Sequence, residues 1–171
     1  MKKVTVVSGD ISKVKADALI TAINSGGMWF GGIDGVINRV AGDFFHSQAG
    51  NRMPLSDGQT VVAYGTLSNR GAFTNVVFVV DDLERPLHEI VYKGLKAASV
   101  AGFATVTLPT VRMGVMLGVV EKSAEQAVQE MAKGVKTFLD DYPTTSIKSI
   151  TFVVYGEQKT QSLLENAFVV Q

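Results

Sequence analysis

The sequence predicts an α/β fold in which a mixed, largely parallel sheet is covered by helices on both faces. Two observations lead there. Short apolar runs rich in β-branched residues alternate with stretches of helical periodicity, the pattern of a sheet built from strand–helix–strand units. One run, DALITAI (residues 17–23), is apolar on both faces, as suits a central strand covered on each side. With 171 residues and no linker, internal repeat or low-complexity tract, the chain is read as a single domain over 1–171.

The elements follow in order. VTVV (4–7) is the first predicted strand and DALITAI the second. TVVAYG (60–65) and NVVFVV (75–80) are two more, and the turn residues of LSNRGAF between them suit an antiparallel pair. ERPLHEIVYKGLKAASVAG reads as a helix: Pro86 suits its first turn, Leu87, Ile90, Val91, Leu95 and Ala98 share a face, and Gly102 ends it. ATVTLP (104–109) returns to strand. The clearest helix is predicted from Glu121 to about Leu139, where Ala124, Ala127, Val128, Met131, Val135, Phe138 and Leu139 fall at i, i+3, i+4, i+7 spacing. SITFVVY (149–155) is the last strand and QKTQSLLENAF a closing helix. Ligands of such sheets gather at the carboxyl ends of the strands. Two loops leave such ends, one beginning at Asn24 and one spanning 110–118.

Composition narrows the chemistry. Sixteen basic and sixteen acidic residues cancel, so no global field favours nucleic acid or an anionic membrane. There is no cysteine, which excludes disulfides, thiol catalysis and Cys-ligated zinc. No apolar run approaches the ~20 residues of a membrane helix. MKKVTVVSGDISK turns polar at Ser8, too early for a signal-peptide core. These features suggest a soluble, cytoplasmic protein. His46, in a polar connector, and His88, near the polar side of a predicted helix, are the only histidines. They form no cluster and are read as surface residues, with no metal or cofactor assigned.

The loop NSGGMWFGGIDG is unusually rich in glycine and carries the only tryptophan. Glycine lets backbone N–H groups approach a phosphate that side chains would otherwise block. Where such a loop opens a helix, the N-terminus adds partial positive charge. Gly31, Gly32, Asp34 and Gly35 fit that description, as do Gly114 and Gly118 before the long helix. Neither loop is a Walker A or a GxGxxG motif. Taken singly, these residues also have plainer readings: Asp10 as a turn residue after a strand, Asn24 as a strand-end cap, Asp34 as a helix N-cap and Tyr155 as a strand-end aromatic.

In joint order and spacing, GDISKVKADALITAINSGGMWFGGIDGVINRVAG resembles the signature of the macrodomain family. That signature reads G-D-I, a spacer, D-A-[IL]-V-N-A-A-N, then a loop ending G-G-G-V-D-G-[AC]-I-H-x-A-A-G. Gly9-Asp10-Ile11, Asp17-Ala18-Leu19, Asn24, Gly31-Gly32-Ile33-Asp34-Gly35 and Ala41-Gly42 match it. DGQTVVAYG, VTLPTVRMGVMLG and TFVVYGEQKTQSLLENAF resemble its later segments, so the likeness spans nearly the whole chain.

The resemblance implies a three-layer α/β/α domain that binds ADP-ribose, free or on a macromolecule. Asp10 would accept the adenine amino group beside the Ile11 backbone, and Tyr155 would lie against the ring. Gly31, Gly32 and Ile33 would admit the ribose and diphosphate. Val111, Arg112, Met113, Gly114, Val115 and Met116 would cradle the diphosphate. Asn24 would bond the distal ribose, and Asp34 would orient or activate water for hydrolysis of an ADP-ribosyl ester. Arg112 could pair with phosphate or stay a solvated loop charge. Trp29-Phe30 could wall or block the distal ribose, or anchor the loop by packing.

Departures cluster at the distal end: Thr21, Asn38, Trp29, Phe30, Arg112, Met113, Met116 and Leu117 replace family residues. They leave three functions open: an ADP-ribosyl hydrolase, a non-catalytic ADP-ribose reader, or a module turned to another nucleotide or RNA, where aromatic residues stack bases.

Overall fold

The computed structural model describes residues 3–29, 31–113 and 117–169. Phe30, Gly114, Val115 and Met116, named above, lie outside the described residues. The strands are β1 (Lys3–Ser8), β2 (Ala16–Ile23), β3 (Thr60–Ala63), β4 (Phe73–Val80), β5 (Thr105–Pro109) and β6 (Ser149–Val154). The helices are α1 (Gly32–Ala41), α2 (Phe44–Gly50), α3 (Leu87–Val100), α4 (Ala124–Asp141) and α5 (Gln158–Val169). The strands form a six-stranded sheet in the order β1-β6-β5-β2-β4-β3. Every neighbouring pair is parallel except β3 and β4.

Strand alternation sorts the core into two layers. Val76, Phe78 and Val80 of β4 join Leu19 and Ile23 of β2 under Ile37 of α1 and Phe45 of α2. Their neighbours Val77 and Val79 join Ala18 and Ile20 on the opposite face, under α3 (Leu87, Val91), α4 (Met131, Val135) and α5 (Leu164). The α/β/α layering is thus a direct reading of period two in β2 and β4.

Asp17 sets the register at the head of β2. Its Oδ2 accepts the N–H of Ala104 at 2.8 Å and of Thr105 at 3.2 Å, leading into β5. Its carbonyl accepts Asn75 Nδ2 of β4 at 2.9 Å. One side chain and its own carbonyl therefore hold a neighbour on each side, aligning the amino-terminal ends of β2, β5 and β4, opposite the edge from which the two loops emerge.

Most strand boundaries shift by a residue or two, and three elements depart further in character. The predicted strand to Gly65 ends at Ala63. The long helix begins at Ala124 rather than Glu121, because Ser123 caps it by accepting Gln126 N–H at 3.1 Å. The stretch around His46, read as a polar connector, forms α2 (Phe44–Gly50), which buries Phe45, His46 and Ala49. Among the described residues, no helix is long and apolar enough to cross a membrane.

Candidate ligand-binding cleft

Because β1, β6, β5, β2 and β4 run parallel, their carboxyl ends share one edge of the sheet. Two adjoining cavities of about 460 and 470 Å³ lie along that edge. Both are lined by Gly32, Ile33, Pro109 and Thr110, so they form one continuous cleft over the end of β5 and the start of α1.

At one end stand Gly9, Asp10, Ile11, Arg39, Val153 and Tyr155. Asp10 follows β1 and caps the short 3-10 turn Ile11–Lys13. Its Oδ1 accepts the Ser12 hydroxyl at 2.7 Å and the Ser12 N–H at 2.9 Å. Its Oδ2 is 3.7 Å from the Arg39 guanidinium. The Ser12 hydroxyl, then the Ser12 N–H, hold the carboxyl below the usual carboxylate range, with Arg39 adding to the effect. Asp10 is thus both the turn residue of the plainer reading and a wall of the cleft. Tyr155 lies one residue past β6 and is 81% exposed, an open aromatic face at the rim.

The middle of the cleft is backbone. Gly31 caps α1 and Gly32 opens it, so the first N–H groups of the helix have no acceptor within it. Gly32 has φ +57°, a conformation that disfavours a side chain. A Cβ added at either glycine would meet no protein atom within 4 Å; the cleft is open there because both positions lack one.

At the other end stand Asn24, Asp34, Asp82, Leu83, Val111 and Met113. Asn24 is already at work in its own loop. Its Nδ2 donates to Met28 O at 2.8 Å, and its Oδ1 accepts Gly26 N–H at 2.9 Å. One N–H and one lone pair remain for a ligand. Asp34 sits in the first turn of α1, not at its cap, and its Oδ1 is 2.8 Å from His46 Nε2.

Two side chains, His46 and Arg112, differ from their sequence readings, and Trp29 takes one of the alternatives left open for it. His46 is not a surface residue: it is 4% exposed, because α2 turns it inward against Phe78. Trp29 takes the packing role: its ring lies 5.6 Å from that of His46, and its Nε1 donates to Asn24 O at 3.0 Å. Arg112 lines the cleft, but its guanidinium is not a solvated loop charge and is already paired with carboxylates of the chain. It is buried against Asp81 (2.7 and 3.0 Å) and Glu121 (2.9 and 3.2 Å), and donates to Arg85 O at 2.6 Å. Glu121 in turn accepts Leu87 N–H at the head of α3 at 3.0 Å. Arg112 thereby ties the β5 loop to the ends of β4 and α3.

Of the expected site residues, Asp10, Ile11, Gly31, Gly32, Ile33, Asn24, Asp34, Val111, Arg112, Met113 and Tyr155 all border the cleft. Sequence reasoning missed Arg39 at the Asp10 end and His46 behind Asp34. The signal for His46 was the spacing of Phe45 and Ala49 on one face of a glycine-bounded segment. Among the described residues, no group of three or more His, Asp or Glu side chains is placed to hold a metal ion.

The architecture defines a three-layer α/β/α protein with its cavity along the strand ends. Its fold is the macrodomain fold, and its sequence resembles that family over nearly the whole chain. No protein-family profile matches it. It superposes on a Trypanosoma brucei macrodomain crystallised with ADP-ribose at a TM-score of 0.81, with 19% identity, covering 96% of this chain and 68% of that one. It is 28% identical over 169 residues to an O-acetyl-ADP-ribose deacetylase of Escherichia fergusonii, covering 93% of this chain and 92% of the relative. It is also 25% identical over 179 residues to a Thermotoga maritima protein, covering 99% of this chain but only 29% of that protein's length.

Proposed function

We propose that the cleft binds ADP-ribose, free or as the end of an ADP-ribosylated macromolecule, and hydrolyses an ADP-ribosyl ester. The observation that carries this reading is the continuous cleft from Asp10 to Asp34, floored by Gly31–Gly32 and the start of α1. Adenine takes the Asp10–Tyr155 end, where an ionised carboxylate accepts the exocyclic amino group. The diphosphate crosses the glycines, where only backbone N–H groups can approach it and the helix N-terminus favours its charge. The distal ribose reaches Asn24 and Asp34. There Asp34 orients a water; its addition splits the ester into ADP-ribose and the free carboxylic acid. The deacetylase name of the Escherichia fergusonii relative supports this reaction class.

A second reading, a reader without turnover, draws support from Asn24, whose amide is engaged within its own loop. Calorimetry with ADP-ribose, AMP and a short RNA separates nucleotide binding from an RNA module. Asp10→Ala should weaken ADP-ribose roughly tenfold or more, the loss of a charge-assisted hydrogen bond worth ~1.5–3 kcal/mol. Asp34→Ala should lower turnover of O-acetyl-ADP-ribose about a hundredfold or more while affinity changes only a few fold. Unaltered affinity in folded Asp10→Ala would remove the adenine assignment. Wild-type turnover equal to a no-enzyme blank, with ADP-ribose bound, would leave the reader.

A further inference from the structure

We propose that His46 is a positioning residue for Asp34, holding its carboxylate in the orientation that turnover requires. The inference rests on the hydrolase reading above. His46 projects from α2 into an apolar layer and is 4% exposed. Its ring lies between Trp29 (centroids 5.6 Å apart) and Phe78 (4.9 Å). Its Nε2 is 2.8 Å from Asp34 Oδ1, whereas its Nδ1 is buried with no hydrogen-bond partner among the described residues.

That arrangement costs stability. A buried polar atom with no partner loses its water and gains nothing in exchange. Leucine, close to imidazole in bulk, would fill the same space between Trp29 and Phe78 without an orphan nitrogen. A buried unsatisfied group calls for an explanation, and the Asp34 contact supplies one. With no acceptor for an Nδ1 proton among the described residues, the tautomer that suits the site carries its N–H at Nε2 and donates a hydrogen bond to Asp34 Oδ1. This fixes the rotation of the carboxylate and leaves its other oxygen for the cleft that Asp34 lines.

The same ring organises the second residue of that end. Trp29 packs on His46 and donates to Asn24 O at 3.0 Å. Asn24, Trp29, His46 and Asp34 are therefore one connected shelf joining the β2 loop to α1 and α2. The tryptophan in the glycine loop is its brace.

Three variants test the role: His46→Leu, which keeps apolar bulk; His46→Gln, whose amide can present an N–H to Asp34; and Asp34→Ala. Each is compared with wild type by thermal midpoint, ADP-ribose calorimetry, and kcat and KM on O-acetyl-ADP-ribose. His46→Leu should melt at or above the wild-type temperature and bind ADP-ribose within about threefold. Its kcat should fall roughly ten- to a hundredfold with little change in KM, as expected when a reacting group is misplaced. His46→Gln should restore most of that kcat. Wild-type kcat in folded His46→Leu overturns the proposal and leaves the hydrolase reading intact. Failure of His46→Gln to recover turnover, or parallel loss of binding and turnover in both variants, makes His46 a structural residue and also overturns it. Wild-type turnover equal to the blank removes the hydrolase reading and this proposal together. If His46→Leu does not fold, nitrogen NMR of histidine-labelled wild type decides, with His88→Gln assigning the two rings. An Nε2–H tautomer sensitive to Asp34→Ala supports the proposal, and an Nδ1–H tautomer overturns it.

Discussion

Asp10 is committed to hydrogen bonds before any ligand arrives. The Ser12 hydroxyl and N–H both donate to one of its oxygens and hold its carboxyl below the usual range. A carboxyl whose folded titration is depressed adds stability above its unfolded value, ~3.9, and loses it as pH falls through the folded value. That contribution is therefore present at neutral pH and fades only in acid below about pH 4. For the proposed adenine contact, the consequence is an acceptor that stays ionised throughout the physiological range. Ser12→Ala removes the leading cause, so the Asp10 carboxyl should titrate higher, toward ~3.9, in carbon-detected NMR. An unmoved midpoint would transfer the effect to the Ser12 backbone and Arg39. At this scale the sequence was informative where a residue's chemistry is local. Asp10, Asn24 and Asp34 sit at strand ends and a helix start, and short-range turn and capping rules place them there. It was uninformative where the partner is remote. His46 meets Asp34 across 12 positions and Arg112 meets Asp81 across 31, and nothing near either residue announces the pairing.

Among the elements, β2, β4, α3 and α4 were legible because each repeats its period long enough to be unmistakable. Helix α2 was not, since seven residues give barely two turns and its polar Ser47 and Gln48 mask the buried Phe45. The start of α4 was misplaced for a different reason: Glu121 suits a first helical turn in composition, but the Arg112 network and the Leu87 N–H claim its carboxylate. Helices α3 and α4 also approach closely at Gly134. A Cβ built there would stand 2.7 Å from the His88 carbonyl oxygen and 2.9 Å from Val91 Cβ. Helix propensity alone favours alanine over glycine by ~1 kcal/mol. Backbone contact should outweigh it, since the carbonyl belongs to a packed helix and cannot swing aside as a long side chain would. Gly134→Ala is expected to lose ~1–3 kcal/mol, the usual range for overpacking, read as a lower urea midpoint with an unchanged slope. A midpoint at or above wild type would show that the helices separate freely and that the glycine is dispensable.

Across the whole molecule, sheet order decides what shape of ligand the cleft accepts. From Asp10 and Tyr155, beyond β1 and β6, it passes over Pro109 at the end of β5 and reaches Asn24 after β2 and Asp82 after β4. On the proposed binding mode, an extended ligand with a base at one end, a diphosphate in the middle and a ribose at the other touches every segment, whereas AMP would occupy only the first. A ligand that binds only the folded protein stabilises it by mass action, ~2.7 kcal/mol at a hundredfold excess over Kd. For a chain of this length each kcal/mol raises the melting temperature by about 2–4 °C, so ADP-ribose at that excess should raise it by roughly 5–11 °C. At the same concentration AMP should give a clearly smaller shift, and ADP one between the two. Asp10→Ala should reduce the shift for all three, because the adenine end is common to them. Asp34→Ala should leave it nearly intact if, as proposed, that carboxylate serves turnover more than ground-state binding. Equal shifts with AMP and ADP-ribose would mean that the Asn24–Asp34 end contributes nothing to affinity. A shift with short RNA matching that of ADP-ribose would replace the ADP-ribose assignment with a nucleic-acid one.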